Sequence, residues 1–209
     1  MRFLLKKILT ASMFFLRRII MKATATSAVK VANRLTAGFT GFQAIDQLDL
    51  GPIKVKLMDK EEGKGWTAEQ VNMAEKWYKR FLFLCLKYPS KPIVPSKVID
   101  AFWHYHILDT MKYAEDCQNI FGYFLHHFPY FGMRGDEDAK SLKAAFVNTN
   151  GLLMSEFGES MSELLGVFPS ISIEASADCD NAPQCAGGGC GDCTTNISKM
   201  DRSRPVFLH

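Results

Sequence analysis

Val71, Ala74, Trp77, Tyr78, Phe81 and Cys85 recur at intervals of three and four residues, the spacing that lines one face of an α-helix with apolar side chains. Charged and polar residues occupy most positions between them. The helix should begin at "TAEQ", where Thr67 can cap the free backbone amides and Gln70 can reach back to complete a capping box. It should stop at "YPSKPIVPS", because Pro89, Pro92 and Pro95 cannot continue it. A second helix is expected after the cap residue Ser96, running through Cys117 to a stop at Gly122. A third should start among the acids Asp136 to Asp138, which suit the positive end of a helix dipole, and run to Gly158, with Gly151 weakening its middle. A short helical turn at "MSELLG" follows. One alternating run, Ile53 to Leu57, reads as an edge strand or an extended strap before a charged, Gly-containing loop.

With no strand–helix alternation and no internal repeat, the pattern predicts a mainly α fold, a compact helical domain with a short edge strand at most. Three parts are expected: a basic amphipathic leader over residues 1–45, a helical domain over 46–168 and a Cys/Gly-rich tail over 169–209. Composition supports the central core, since 47% of the 209 residues are hydrophobic and 22% charged, values typical of globular chains.

Net charge is +3, but residues 1–45 hold eight of the 25 basic residues and none of the 22 acids. The rest of the chain is therefore net negative and offers no general attraction for nucleic acid. In the leader an apolar stretch from Ile8 to Leu16 lies between Lys6-Lys7 and Arg17-Arg18, too short to span a bilayer. Arginines stand where a signal-peptide cleavage site should be, and the small-residue run "ATATSA" comes too late. Residues 1–20 instead suit a membrane-surface helix or an organelle presequence, or an extended start ahead of Met13 or Met21. The corresponding expectation is a cytoplasmic protein peripheral to a membrane, with organelle import as the alternative.

Chemistry concentrates in "VIDAFWHYHILDTMKYAEDC" and the following "FLHHFPYFG", which together hold four of the five histidines. On a helix Asp100 and His104, four apart, project side by side. Trp103, Ile107, Met111 and Ala114 fall on the same side, so a carboxylate and an imidazole are placed beside a core, a costly arrangement unless they pair or bind something. His106 lies about 200° around the helix from His104 and points to a more polar flank with Asp109, Thr110 and Tyr113. His126 or His127 can return from beyond the helix end to supply a third ligand. One carboxylate with two imidazoles is a donor set for zinc or non-haem iron. The competing reading is a structural Asp–His contact in a non-catalytic interaction module.

The same stretch resembles the glycine-rich domain-containing protein-like family, whose members carry an Asp-x-x-Trp-His-x-His segment, then a tyrosine and an acid, a glycine and a His-Pro-like turn. The matching positions are Asp100, Trp103, His104, His106, Tyr113, Asp116, Gly122 and His126 or His127, within roughly residues 65–160. The resemblance implies a shared fold and site and leaves the reaction open. On these grounds Asp100, His104, His126 and His127 are the candidate metal ligands, and Trp103, His106, Tyr113 and Asp116 the groups around them.

Cys85 and Cys117 sit in helical sequence and read as buried thiols. Cys179, Cys185, Cys190 and Cys193 form a C-x5-C-x4-C-x2-C tail rich in glycine, a candidate second site for zinc or an iron–sulfur cluster. A flexible, oxidisable tail is the alternative. Neither a phosphate-binding loop nor a dinucleotide fingerprint occurs, and no nucleophile–base pair stands out.

Overall fold

The computed structural model describes residues 40–171 and residue 175. The leader up to residue 39 and the four tail cysteines lie outside the described residues. The chain divides into two units between Thr40 and Gly41, and apart from Thr40, the first described residue, everything below concerns the second.

Among the described residues the fold is all helical: α1, described over residues 40–46, then α2 (Gly51–Met58), α3 (Ala68–Lys87), α4 (Lys97–Leu108), α5 (Thr110–Phe121), α6 (Asp136–Phe157) and α7 (Glu163–Val167). α3 is the central element, packing against α2, α4, α6 and α7. Its capping box forms as the sequence predicts: Gln70 N donates to Thr67 Oγ1 over 3.2 Å, and Thr67 N donates to Gln70 Oε1 over 2.9 Å. Gln70 Nε2 also donates to the Val167 carbonyl, so the same side chain ties the start of α3 to the end of α7. All six residues of the predicted apolar face are buried. α6 starts and ends where expected, with Asp136, Glu137 and Asp138 in its first turn and Gly158 closing it.

Two expectations change. Ile53 to Leu57 is neither strand nor strap but part of α2. A strand would place Ile53, Val55 and Leu57 on one face; here Ile53 and Leu57 are buried one helical turn apart while Val55 is 72% exposed. Pro52, in the first turn, suits a helix start. The predicted single helix from Ser96 through Cys117 is broken at Asp109, whose φ of −81° and ψ of 72° are not helical. The Asp109 side chain makes no cap bond, so capping does not cause the break. Its consequence is a new phase: Tyr113, Cys117 and Ile120 turn inward, whereas Met111, assigned by the unbroken pattern to the apolar face, is 85% exposed.

The principal core joins Leu50, Leu57, Trp77, Tyr78, Phe81, Phe102 and Trp103 with residues from every element. A smaller cluster of Val94, Phe128, Phe131, Leu142 and Ala145 lies where the segment after α5 meets α6. Ser96, the α4 cap, makes an isolated antiparallel bridge with Ala175. Cys117 is a free buried thiol as expected, but Cys85, equally buried, is disulfide-bonded and so not the second free thiol.

The turn after α6 is fastened to α3 by charge. Arg80 Nη1 and Nη2 donate to the two Glu159 oxygens over 2.8 and 2.7 Å, and Lys76 donates to Glu159 and Glu163. The Arg80 guanidinium, then the Lys76 ammonium, hold the Glu159 carboxyl down to about 2 from an ordinary 4.5. A carboxylate with a depressed folded pKa adds stability above its unfolded pKa and loses it as pH falls through the folded one. Acid unfolding monitored by far-UV circular dichroism should therefore steepen between about pH 4.5 and 2 in the native chain, and Glu159→Gln should flatten that limb.

Candidate metal centre

Asp100 and His104 sit one turn apart on α4, whose direction is set by Ser96 accepting from Ile99 N and by the burial of Val98, Ile99, Phe102 and Trp103. Asp100 is itself 3% exposed. His104 lies half-buried beside it, with Nδ1 3.5 Å from Asp100 Oδ2.

The third group comes from the non-helical segment after α5. Gly122, at φ 74°, ends α5 in the left-handed conformation that glycine adopts without a Cβ clash. The chain then returns over α4. Leu125 is buried, and the Tyr113 hydroxyl donates to its carbonyl over 2.6 Å. Phe128 is buried in the smaller cluster on the other side. Between these two anchors the adjacent histidines part company. His127 turns in, its ring 4.6 Å from the Trp103 ring and 4.7 Å from the His104 ring. His126 is exposed and rests on Phe124, outside the group.

Asp100, His104 and His127 thus form the cluster whose donor atoms all lie within 4.8 Å of one another. His127 Nε2 is 3.1 Å from His104 Nε2 and 3.2 Å from Asp100 Oδ1. An ion with bonds of about 2.0–2.1 Å in tetrahedral array keeps its ligand atoms about 3.3 Å apart. Burial pushes the His104 pKa below its ordinary 6.5, against the pull of Asp100, with smaller contributions in the same direction from the neighbouring His127 and Lys64 side chains. The neutral imidazole so favoured is the form that carries a lone pair for a metal.

His106 belongs to a different arrangement. The break at Asp109 lets α5 fold over its flank, and it is 1% exposed instead of facing a polar surface. Its Nδ1 is 2.9 Å from the Tyr78 hydroxyl and its Nε2 2.9 Å from Asp116 Oδ2, which also pairs with Lys112. Burial raises the Tyr78 pKa well above the usual 10, so its hydroxyl keeps a proton that it can donate to the ring. The phenol therefore donates to Nδ1, and Nε2–H donates to the carboxylate. Burial also lowers the His106 pKa, opposed by Asp116. Of the groups the sequence places around the metal ligands, Trp103 touches His127 directly and Tyr113 holds the neighbouring backbone, while His106 and Asp116 pair with each other. Sequence reasoning treated Tyr78 only as core; the Lys112/Asp116 spacing of four was its one legible hint of this network.

A depression of about 260 Å³ lies between α2 and α4, lined by Pro52, Ile53, Lys56, Tyr105, Leu108 and Asp109, and none of the three clustered donors lines it. Among the described residues no helix is long and apolar enough to cross a membrane. A family model described as UCP032817-like matches residues 42–150, just over half of the chain, and so takes in α2 to α5, most of α6 and all of the clustered donors. No curated protein and no solved structure matches the chain.

Proposed function

The chain belongs to the UCP032817-like family, whose description names no reaction, and we propose from its own side chains that it binds a divalent metal through Asp100, His104 and His127. One observation carries the reading: a single ring nitrogen, His127 Nε2, faces both a carboxylate oxygen and a second imidazole nitrogen at 3.2 and 3.1 Å. Three electron-rich atoms converging beside a buried tryptophan need a shared cation, metal or proton. Two neutral imidazoles and one carboxylate suit zinc or ferrous iron, and leave ion coordination positions that this donor set does not fill. The likeness of the Asp-x-x-Trp-His-x-His segment to glycine-rich domain-containing proteins is part of the same proposal, the segment supplying two of the three ligands.

A second reading has its own support. A His127 Nε2–H shared between Asp100 Oδ1 and His104 Nε2 would account for the same distances without a metal, as a junction that locks the returning segment onto α4. Elemental analysis of anaerobically purified protein separates the two. Metal binding predicts about one equivalent in the native chain, lost in Asp100→Ala and in His104→Ala while helix content stays native. A metal-free native chain that loses its fold in both variants would establish the junction instead.

A further inference from the structure

Resting on that metal reading, we infer that Tyr113 is the positioning residue of the centre: it determines where His127 stands. Asp100 and His104 need no such help, since one helix sets their relation. His127 arrives on a segment without helical structure, and its location depends on side-chain anchors.

Tyr113 supplies two of these anchors with one hydroxyl. The oxygen accepts from Trp103 Nε1 over 2.9 Å, fixing the indole against which the His127 ring packs. Its proton goes to the Leu125 carbonyl over 2.6 Å, fixing the backbone two residues before His127. Tyr113 is 1% exposed, and burial keeps its hydroxyl protonated by raising its pKa far above 10. The relay is directional, because an indole N–H only donates and a carbonyl only accepts: indole N–H to phenol, phenol to carbonyl. The break at Asp109 makes it possible, because the phase of α5 after the break is what turns Tyr113 inward.

Groups that orient ligands without touching the ion commonly change affinity by about 10–100-fold when removed. The test is cobalt(II) titration of the full chain, reading both affinity and the visible d–d bands that report ligand number. Tyr113→Phe keeps the ring and deletes the hydroxyl. It should bind cobalt about 10–100-fold more weakly, with weaker d–d absorption as His127 leaves the ion and water replaces it. In a His127→Ala background the same change should cost little more, because the ligand it positions is gone. Trp103→Phe, which deletes the indole donor, should weaken binding in the same sense and serves if Tyr113→Phe fails to fold. A native chain that binds no cobalt would refute the metal reading. A native chain that binds, beside a folded Tyr113→Phe or Trp103→Phe protein with unchanged affinity and spectrum, would refute the role of Tyr113 alone. An equal loss with and without His127 would do the same.

Discussion

His106→Ala is expected to lower the free energy of unfolding by about 3–5 kcal/mol, measured by urea denaturation, while leaving metal content at the native level. The ring is fully enclosed, edge-on to Tyr78 and Tyr113 with centroids 5.8 and 5.0 Å away, so truncation opens a cavity in the main core. It also removes the partner of the Tyr78 hydroxyl, which is itself fully buried. Asp116 suffers less, because Lys112 remains beside it at 2.9 Å. His106→Phe separates the contributions: it restores most of the volume but neither hydrogen bond, and should cost about 1–3 kcal/mol. A His106→Phe protein as unstable as His106→Ala would show that the hydrogen bonds dominate. The pH dependence has a defined sign. With a folded pKa held below 6.5 by burial, the neutral ring contributes its full stability above the unfolded value, and this is lost as pH falls from about 6.5 toward the folded pKa. His106→Phe should remove that part of the slope.

That network was hidden in the sequence because its position depends on a break the sequence does not announce. Periodicity runs from Ser96 through Cys117 without a glycine or proline, and an unbroken helix leaves His106 on a polar flank. Once Asp109 departs from helical geometry, Tyr113 and Cys117 swing inward and the flank becomes core. In α3, by contrast, the capping box and apolar spacing agree, and in α6 the first-turn acids and the closing glycine mark the ends, so both ends of each helix are readable. Ile53 to Leu57 was ambiguous because residues four apart share a helix face as readily as residues two apart share a strand face; only the exposure of Val55 decides between them.

The candidate site was legible as far as one helix could carry it. The pairing of Asp100 with His104 follows from a spacing of four. The choice between His126 and His127 does not, since it belongs to a segment whose course is set by distant contacts. A faint signal existed: in a chain without helical twist His127 shares a side with Leu125, an obvious core residue, and His126 with Phe124. The structure has Leu125 at 2% exposure and Phe124 at 43%.

The far end of that segment gives the second large effect. Gly132→Ala is expected to lose about 2–4 kcal/mol and to weaken metal binding although it lies outside the ligand cluster. Gly132 has φ 94°, where a side chain is strained, and its amide donates to Asp138 Oδ2 over 2.6 Å at the start of α6. A Cβ there would stand 2.6 Å from Leu142 Cδ2 and 3.3 Å from Leu142 Cβ. Leu142 packs with Phe128 and Phe131 in the smaller cluster, so relieving the clash disturbs the anchor next to His127. Gly135→Ala is the matched control, because its φ of 108° imposes strain but a Cβ meets nothing within 4 Å. The control should show only the backbone cost, about 1–3 kcal/mol, with native cobalt affinity. Lower affinity in Gly132→Ala alone would locate the effect in the Leu142–Phe128 contact and hence in the seat of His127. Equal stability losses and unchanged affinity in both variants would mean that Leu142 yields without moving Phe128, and that the smaller cluster does not help hold the histidine.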